Sequence, residues 1–319
     1  MPKIAIVDKI HQDGVNLLKN NSKFEYEIIE DISKKNLISK LPAFDGITLR
    51  RGKIDAEILE KCKKLKVISR HGVGFDNVDI KYLKKNNIKL LVTATSTSVS
   101  PSEHIMFMIL NISKGIDFYD KAVRNGEFNS VMHMNHNTFE LSNKKILIIG
   151  FGRIGKKLIK RCLGFEMKVY AYDPYVEKNV IESFGGIKIE NLDEGLKVAD
   201  IISLSVPLTK ETQNLLTLEK MKMMKKNSII INISRGGIVN ESDLNEALNK
   251  KIIYGAGLDV FEKEPPDNNN PLLKNKRIVL SPHAATFTQE CLSKMSTETV
   301  QNIIDFFEGR LNNDSIVKL

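Results

Sequence analysis

Short apolar or β-branched runs recur at 3–7, 25–29, 47–50, 66–70 and 89–93, and the segments between them carry helical spacing of apolar positions. A parallel sheet with crossover helices produces this pattern, because each strand must be followed by an element that returns the chain to the same edge. The alternation then restarts, with runs at 145–149, 168–172, 201–206, 228–233, 254–259 and 277–280, and ends in a helical stretch at 290–308. Two α/β domains are expected, one of residues 1–98 completed by 289–319 and one of residues 99–288. Between the alternations, Ser100-Pro101-Ser102-Glu103 offers an N-cap serine, a proline at the first helical position and a glutamate three residues after the cap, opening an apolar helix over 105–112. The chain passes between the domains near 97–103 and again near 284–290, which predicts a hinge with a cleft.

Composition narrows the class. A chain of 319 residues, 42% of them hydrophobic, can build two separate cores. No apolar run approaches the roughly 18 residues of a membrane span, and the first residues read as a strand rather than an export signal. No membrane partner and a cytoplasmic location are therefore expected. Cys62, Cys162 and Cys291 have no metal-ligand spacing and suit free thiols, and the i, i+3 pair His133 and His136 lacks a third ligand, so neither disulfide nor metal is expected. The formal charge of +9 comes from lysines scattered among Asn, Asp and Glu, not from one basic arm with interleaved aromatics. That distribution argues against a nucleic-acid partner and for a field that draws in a small anion.

The chemistry begins at 145–155, where an apolar strand runs into Gly150-Phe-Gly152-Arg153-Ile154-Gly155 and then a helix. Gly150 permits a tight turn, Gly152 lets backbone N–H groups approach a pyrophosphate, and Gly155 lets helix and strand pack closely, with the anion at the positive helix end. The next strand ends in Asp173, at the distance where a ribose hydroxyl acceptor is found, and Pro174-Tyr175 follow with no adjacent arginine for a 2′-phosphate. NAD is the expected cofactor. Three more strands end in functional groups: 228–233 leads to Arg235, 254–258 to Asp259 and Glu264, and 277–280 to His283. Each has an ordinary alternative, Arg235 a helix cap, Glu264 a solvated turn and His283 a surface turn. Jointly they form the set needed to bind a carboxylate, tune a base and move a proton, and carboxyl ends of parallel strands line the ligand crevice.

These motifs resemble the D-isomer-specific 2-hydroxyacid dehydrogenases, in particular their phosphoglycerate dehydrogenase-like branch. The resemblance covers nearly the whole chain, through Ser69-Arg-His-Gly72-Val-Gly74-Phe-Asp76-Asn77-Val-Asp79, Glu103-His104, Gly150 to Gly155, Val206-Pro-Leu-Thr209, Asn232-Ile-Ser-Arg235-Gly, Leu258-Asp259-Val-Phe-Glu-Lys-Glu264-Pro265 and Ser281-Pro-His283. It implies two doubly wound parallel-sheet domains, a flavodoxin-like substrate domain and a Rossmann dinucleotide-binding domain. It also implies an oxidoreductase passing hydride between NAD and a D-2-hydroxy acid or 2-keto acid, with Arg235, Glu264 and His283 as the catalytic trio. His283 would exchange a proton with the substrate oxygen while Glu264 holds its far nitrogen, and Arg235 would grip the substrate carboxylate, helped by the N–H groups of Val73 and Gly74.

By the same resemblance Val206, Pro207, Thr212, Ile233, Ser234 and Ala285 line the cofactor and Asp259 faces the nicotinamide carboxamide. A homodimer through the cofactor domain is implied, using the helix at 105–112 and the arm near 117–140. His104 is expected to pack or hydrogen-bond rather than titrate. The chain departs from the family at Arg50-Arg51-Gly52-Lys53, at Ala94-Thr95-Ser96-Thr97, and at Ser205, Phe128 and Asn240. Arg50 and Arg51, with Lys53, are candidates for a substrate phosphate, so D-3-phosphoglycerate leads, with a glyoxylate or hydroxypyruvate reductase as the alternative. A non-catalytic dinucleotide sensor of the corepressor kind remains a further alternative on this fold. No C-terminal regulatory domain is expected.

Overall fold

The structure is a computed structural model and describes residues 1–134 and 136–318. The chain separates into two compact units, one of residues 1–97 together with the segment from Thr286 onward, the other Ser98–Ala285.

The first unit is built on a five-stranded parallel sheet among the described residues. Its strands are β1 (Lys3–Val7), β2 (Glu25–Ile29), β3 (Gly46–Leu49), β4 (Val67–Arg70) and β5 (Lys89–Val92), in the order β2-β1-β3-β4-β5. This is the flavodoxin-like order, in which the winding reverses between β1 and β3. The unbroken apolar run of β1 is explained by its two covered faces. Ala5 and Val7 enter one core with Leu37, Phe44 and Ile58, while Ile4 and Ile6 enter another with Val300, Ile303 and Ile304 of the helix Gln289–Glu308.

The second unit carries seven parallel strands among the described residues: β6 (Lys145–Ile149), β7 (Lys168–Tyr172), β8 (Ile187–Lys188), β9 (Ile201–Leu204), β10 (Ile229–Asn232), β11 (Gly255–Leu258) and β12 (Ile278–Leu280). Their order is β12-β11-β10-β9-β6-β7-β8, a doubly wound Rossmann sheet with its reversal between β6 and β9. Ile146 and Ile148 pack towards Ile105, Met108 and Leu158, and Leu147 and Ile149 pack the other way against Leu196, Leu244 and Leu248.

Two expectations need correcting. The sheet has a seventh strand, β8, too short and too polar at Ile187–Lys188 to register as an apolar run. Ser100 is not a cap: the helix spans Val99–Lys114 with Ser98 at its N-cap, so Ser100 lies in the first turn and its hydroxyl donates to the Ala285 carbonyl at 2.6 Å. Pro101 is still tolerated, because first-turn N–H groups have no intrahelical acceptor to lose.

A buried histidine gives the first unit a pH dependence. His71 is 5% exposed, its Nε2 lies 3.0 Å from Ser296 Oγ, and burial, aided by the charges of Arg50 and Arg70, pushes its imidazole down to about 4. Below its unfolded value near 6.5 the unfolded chain then binds the proton that the folded one refuses, so stability falls as pH drops from 6.5 towards 4. The contribution reaches about 3 kcal/mol at pH 4. Urea midpoints measured across this range should show the slope in the wild type and a flatter one in His71→Gln; equal slopes would refute the assignment.

Candidate active site

The second unit gathers the sequence-predicted groups at the carboxyl edge of its sheet. Gly150, at φ +92°, turns the chain out of β6; a Cβ there would lie 2.5 Å from the Ser205 carbonyl, so the loops after β6 and β9 touch at the reversal point. Gly152 caps the helix Arg153–Gly164, and a Cβ on it would meet nothing within 4 Å. That open cradle in front of the first-turn N–H groups of Arg153 and Ile154 fits a pyrophosphate. Asp173 closes the far side: Oδ2 accepts from Phe151 N–H at 2.8 Å and Oδ1 from Tyr175 N–H at 2.9 Å. Each oxygen keeps a lone pair for a ribose hydroxyl. The dinucleotide therefore fits the residues present.

Val206 and Pro207 follow β9, and Ile233 and Ser234 follow β10. Thr212 folds the first of these loops, donating its hydroxyl to the Pro207 carbonyl at 2.6 Å and accepting from Thr209 N–H at 2.7 Å. Ser234 ties the two loops together by donating to the Leu204 carbonyl at 2.7 Å. The Asn232 side chain bridges the β10 turn, accepting from Ser234 N–H at 3.0 Å and donating to the Arg235 carbonyl at 2.9 Å. Gly236 fixes what comes next to Arg235: a Cβ there would lie 1.9 Å from the Phe261 carbonyl oxygen, so only glycine lets the β10 and β11 loops meet backbone to backbone.

That contact brings Arg235, Glu264 and His283 into one field. His283 Nδ1 lies 2.7 Å from Glu264 Oε2, and Glu264 Oε1 accepts from Phe261 N–H at 3.1 Å. Burial alone would lift the Glu264 carboxyl; the His283 hydrogen bond and charge, the Phe261 N–H and the Arg235 guanidinium outweigh it and hold the group below the usual glutamate range. An ionised carboxylate only accepts, so Nδ1 carries the proton and Nε2 is left to face a reactant. Both side chains remain partly open, 48% for His283 and 39% for Glu264.

Asp259 has a structural task that the sequence did not show. It is completely buried, with Oδ1 accepting from Ser281 Oγ at 2.5 Å and Ala284 N–H at 2.7 Å and Oδ2 accepting from Ala285 N–H at 2.9 Å. Its backbone carbonyl accepts from His283 N–H at 2.7 Å. Asp259 thus holds the turn that carries His283, whose φ is +52°. Sequence reading missed the Ser281 contact, although Ser281 stood in a quoted motif. His104 joins this buried group through Nε2, 2.8 Å from Ser281 Oγ and 3.6 Å from Asp259 Oδ1; burial lowers its imidazole and the Asp259 charge opposes the drop.

The first unit holds Arg50, Arg51, Val73 and Gly74 at the carboxyl edge of its own sheet. Val73 is 44% exposed, and the Gly74 carbonyl accepts from Arg70 Nε at 2.9 Å. Arg70 Nη1 also donates to the Leu49 and Arg50 carbonyls at 2.5 and 2.7 Å, fastening the loops after β3 and β4 to each other. Arg50 donates to the Lys9 carbonyl at 2.9 Å. Arg51 is held by Asp8, a partner that no local pattern singled out.

Comparison with known proteins shows the family to which the chain belongs. Residues 106–285 match the model of the D-isomer specific 2-hydroxyacid dehydrogenase NAD binding domain. Over 98% of its length the chain is 35% identical to the D-3-phosphoglycerate dehydrogenase of Methanocaldococcus jannaschii, and spans 58% of that longer protein. It is 35% identical to the glyoxylate reductase of Thermococcus litoralis, covering 97% of this chain and 95% of that one. The solved D-lactate dehydrogenase of Aquifex aeolicus, complexed with NAD and lactic acid, superposes with a TM-score of 0.86 at 27% identity over 98% of both chains. The chain belongs to the D-isomer-specific 2-hydroxyacid dehydrogenase family.

Proposed function

We propose that this chain is an NAD-dependent oxidoreductase acting between a D-2-hydroxy acid and its 2-keto acid. The observation that carries the reading is the 2.7 Å pairing of His283 with an ionised Glu264 under the charge of Arg235, at the ends of three neighbouring strands. Bound NAD supplies the hydride acceptor. His283 Nε2 takes the hydroxyl proton in oxidation and returns it to the carbonyl oxygen in reduction, while Glu264 fixes the ring and stabilises the imidazolium. Arg235 binds the substrate carboxylate and draws electron density from the adjacent carbonyl. Asp173, followed by Pro174 and the 91% exposed Tyr175, disfavours a 2′-phosphate and selects NAD over NADP.

The test is oxidation of NADH, followed at 340 nm, against glyoxylate, hydroxypyruvate and pyruvate, with NADPH in parallel. Turnover of at least one acid with a preference for NADH is expected; NADH binding without turnover of any acid would favour the sensor reading instead. The helices Val99–Lys114, Ile116–Arg124 and Phe128–Met132 leave Phe107, Phe118, Val123 and Phe128 each more than half exposed, an apolar surface that supports a homodimer through this unit. Three buried, free thiols support a reducing, cytoplasmic setting.

A further inference from the structure

His283 stands at φ +52°, a conformation that a non-glycine residue keeps only where its surroundings over-determine it. Its ring is half exposed, so side-chain packing holds it little and the loop must be fixed through its backbone. That fixing traces to the helix Val99–Lys114. Ser100, His104, Met108 and Ile112 recur at every fourth residue and form one ridge of this helix. The ridge runs along β11 in the opposite direction. A Cβ on Gly255 would lie 3.4 Å from Ile112 Cγ2, a Cβ on Gly257 would lie 3.1 Å from Met108 Cβ, and His104 Nε2 is 3.6 Å from Asp259 Oδ1. Four helical residues advance about 6 Å and two strand residues about 6.6 Å, so the two rows stay in step from Gly255 to Asp259.

At its amino-terminal end the ridge grips the loop on both sides of His283. Ser100 Oγ donates to the carbonyl of Ala285, two residues after it, at 2.6 Å. His104 Nε2 lies 2.8 Å from Oγ of Ser281, two residues before it. The single hydrogen of the Ser281 hydroxyl goes to Asp259 Oδ1, so Oγ accepts from His104 and Nε2 carries the proton. We infer that Ser100, His104 and Ser281 are positioning residues, a clamp by which this helix sets the point where His283 Nε2 meets the reactant. They act through the loop and not on the substrate. The inference rests on the oxidoreductase reading above and adds to it the groups that aim its base.

His104→Leu is the informative variant, because it keeps an apolar side chain of similar bulk in place and removes the donor. With the better of glyoxylate and hydroxypyruvate as substrate, kcat should fall by about 10- to 100-fold, the scale of a reacting group set out of line. The KM for the acid and the NADH affinity should hold, and His104→Gln, which returns an N–H at similar reach, should recover most of the rate. In a His283→Asn background His104→Leu should cost nothing further, since a clamp acts only through the group it positions. Histidine ¹⁵N spectra read the clamp without turnover. The Nδ1–H tautomer of His283, enforced by Glu264 at 2.7 Å, should give way to a mixture in His104→Leu and return in His104→Gln.

An unchanged kcat with an unchanged His283 tautomer in His104→Leu would overturn the inference. So would an equal loss in the His283→Asn background, which would give His104 a part of its own. A wild type that reduces no acid, but whose His283 tautomer still responds to His104→Leu, would overturn the oxidoreductase reading and leave the clamp intact. Should His104→Leu not fold, Ser281→Ala serves, with Ser281→Thr as its rescue: the clamp predicts a lowered kcat that the threonine hydroxyl restores, and full kcat in Ser281→Ala refutes it.

Discussion

Replacing His283 by asparagine should lower kcat by about 10²–10⁴-fold, the usual contribution of a positioned proton donor and acceptor. Asparagine is chosen because the residue occupies φ +52°, a conformation it adopts more readily than alanine. The backbone N–H bond to the Asp259 carbonyl does not depend on the side chain, and the ring is half exposed, so the fold should survive. NADH titration by fluorescence and the thermal midpoint should stay close to wild type while the 340 nm rate collapses. A variant that keeps a tenth or more of the turnover would remove His283 from the chemistry and leave Glu264 without a purpose.

Arg235→Lys should lower kcat/KM by about 10²–10³-fold even though the charge is retained. A guanidinium presents paired N–H groups in a plane to both oxygens of a carboxylate; an ammonium is a point charge on a flexible stem that cannot hold the acid in one orientation. Arg235 also helps keep Glu264 ionised, and a lysine preserves that field in part, which separates the orienting role from the electrostatic one. The loss should appear as a raised KM together with a lowered kcat, with NADH affinity unchanged. A loss confined to NADH affinity would move Arg235 to the cofactor.

Parallel strands such as β1 and β6 were legible because both their faces are buried, which forces apolar residues at every position after the opening lysine. β8 was not, since two residues, one of them exposed, carry no periodicity. The candidate groups Arg235, Glu264 and His283 could be placed at strand ends because chain order fixes which loop follows which strand. What each carboxylate does there depends on contacts far apart in sequence. Asp259 reads as a polar residue after a strand, and only the fold reveals that the Ser281 hydroxyl and the Ala284 and Ala285 N–H groups bond to its two oxygens. Asp8 and Arg51 lie 43 residues apart, and the neighbouring positions of β1 and β3 bring them together. Local spacing cannot report such a pair.

Ser98–Ala285 is an insertion within the chain of the other unit, and each unit fastens its own loose ends. Ser100 bonds Ala285 in the inner one; in the outer one Glu298 accepts from the N–H groups of Thr95 and Ser96, each at 3.0 Å. The outer unit cannot be finished when residues 1–97 leave the ribosome, because Val300 and Ile303, which cover Ile4, Ile6 and Leu91, are made only after the inner unit. At about 5–20 residues per second that interval is roughly ten to forty seconds, during which one face of the sheet has no cover. The inner unit, whose chain is continuous, can be complete by then. The nascent chain therefore carries an exposed β-surface next to a finished neighbour, and that surface is where a chaperone would be needed.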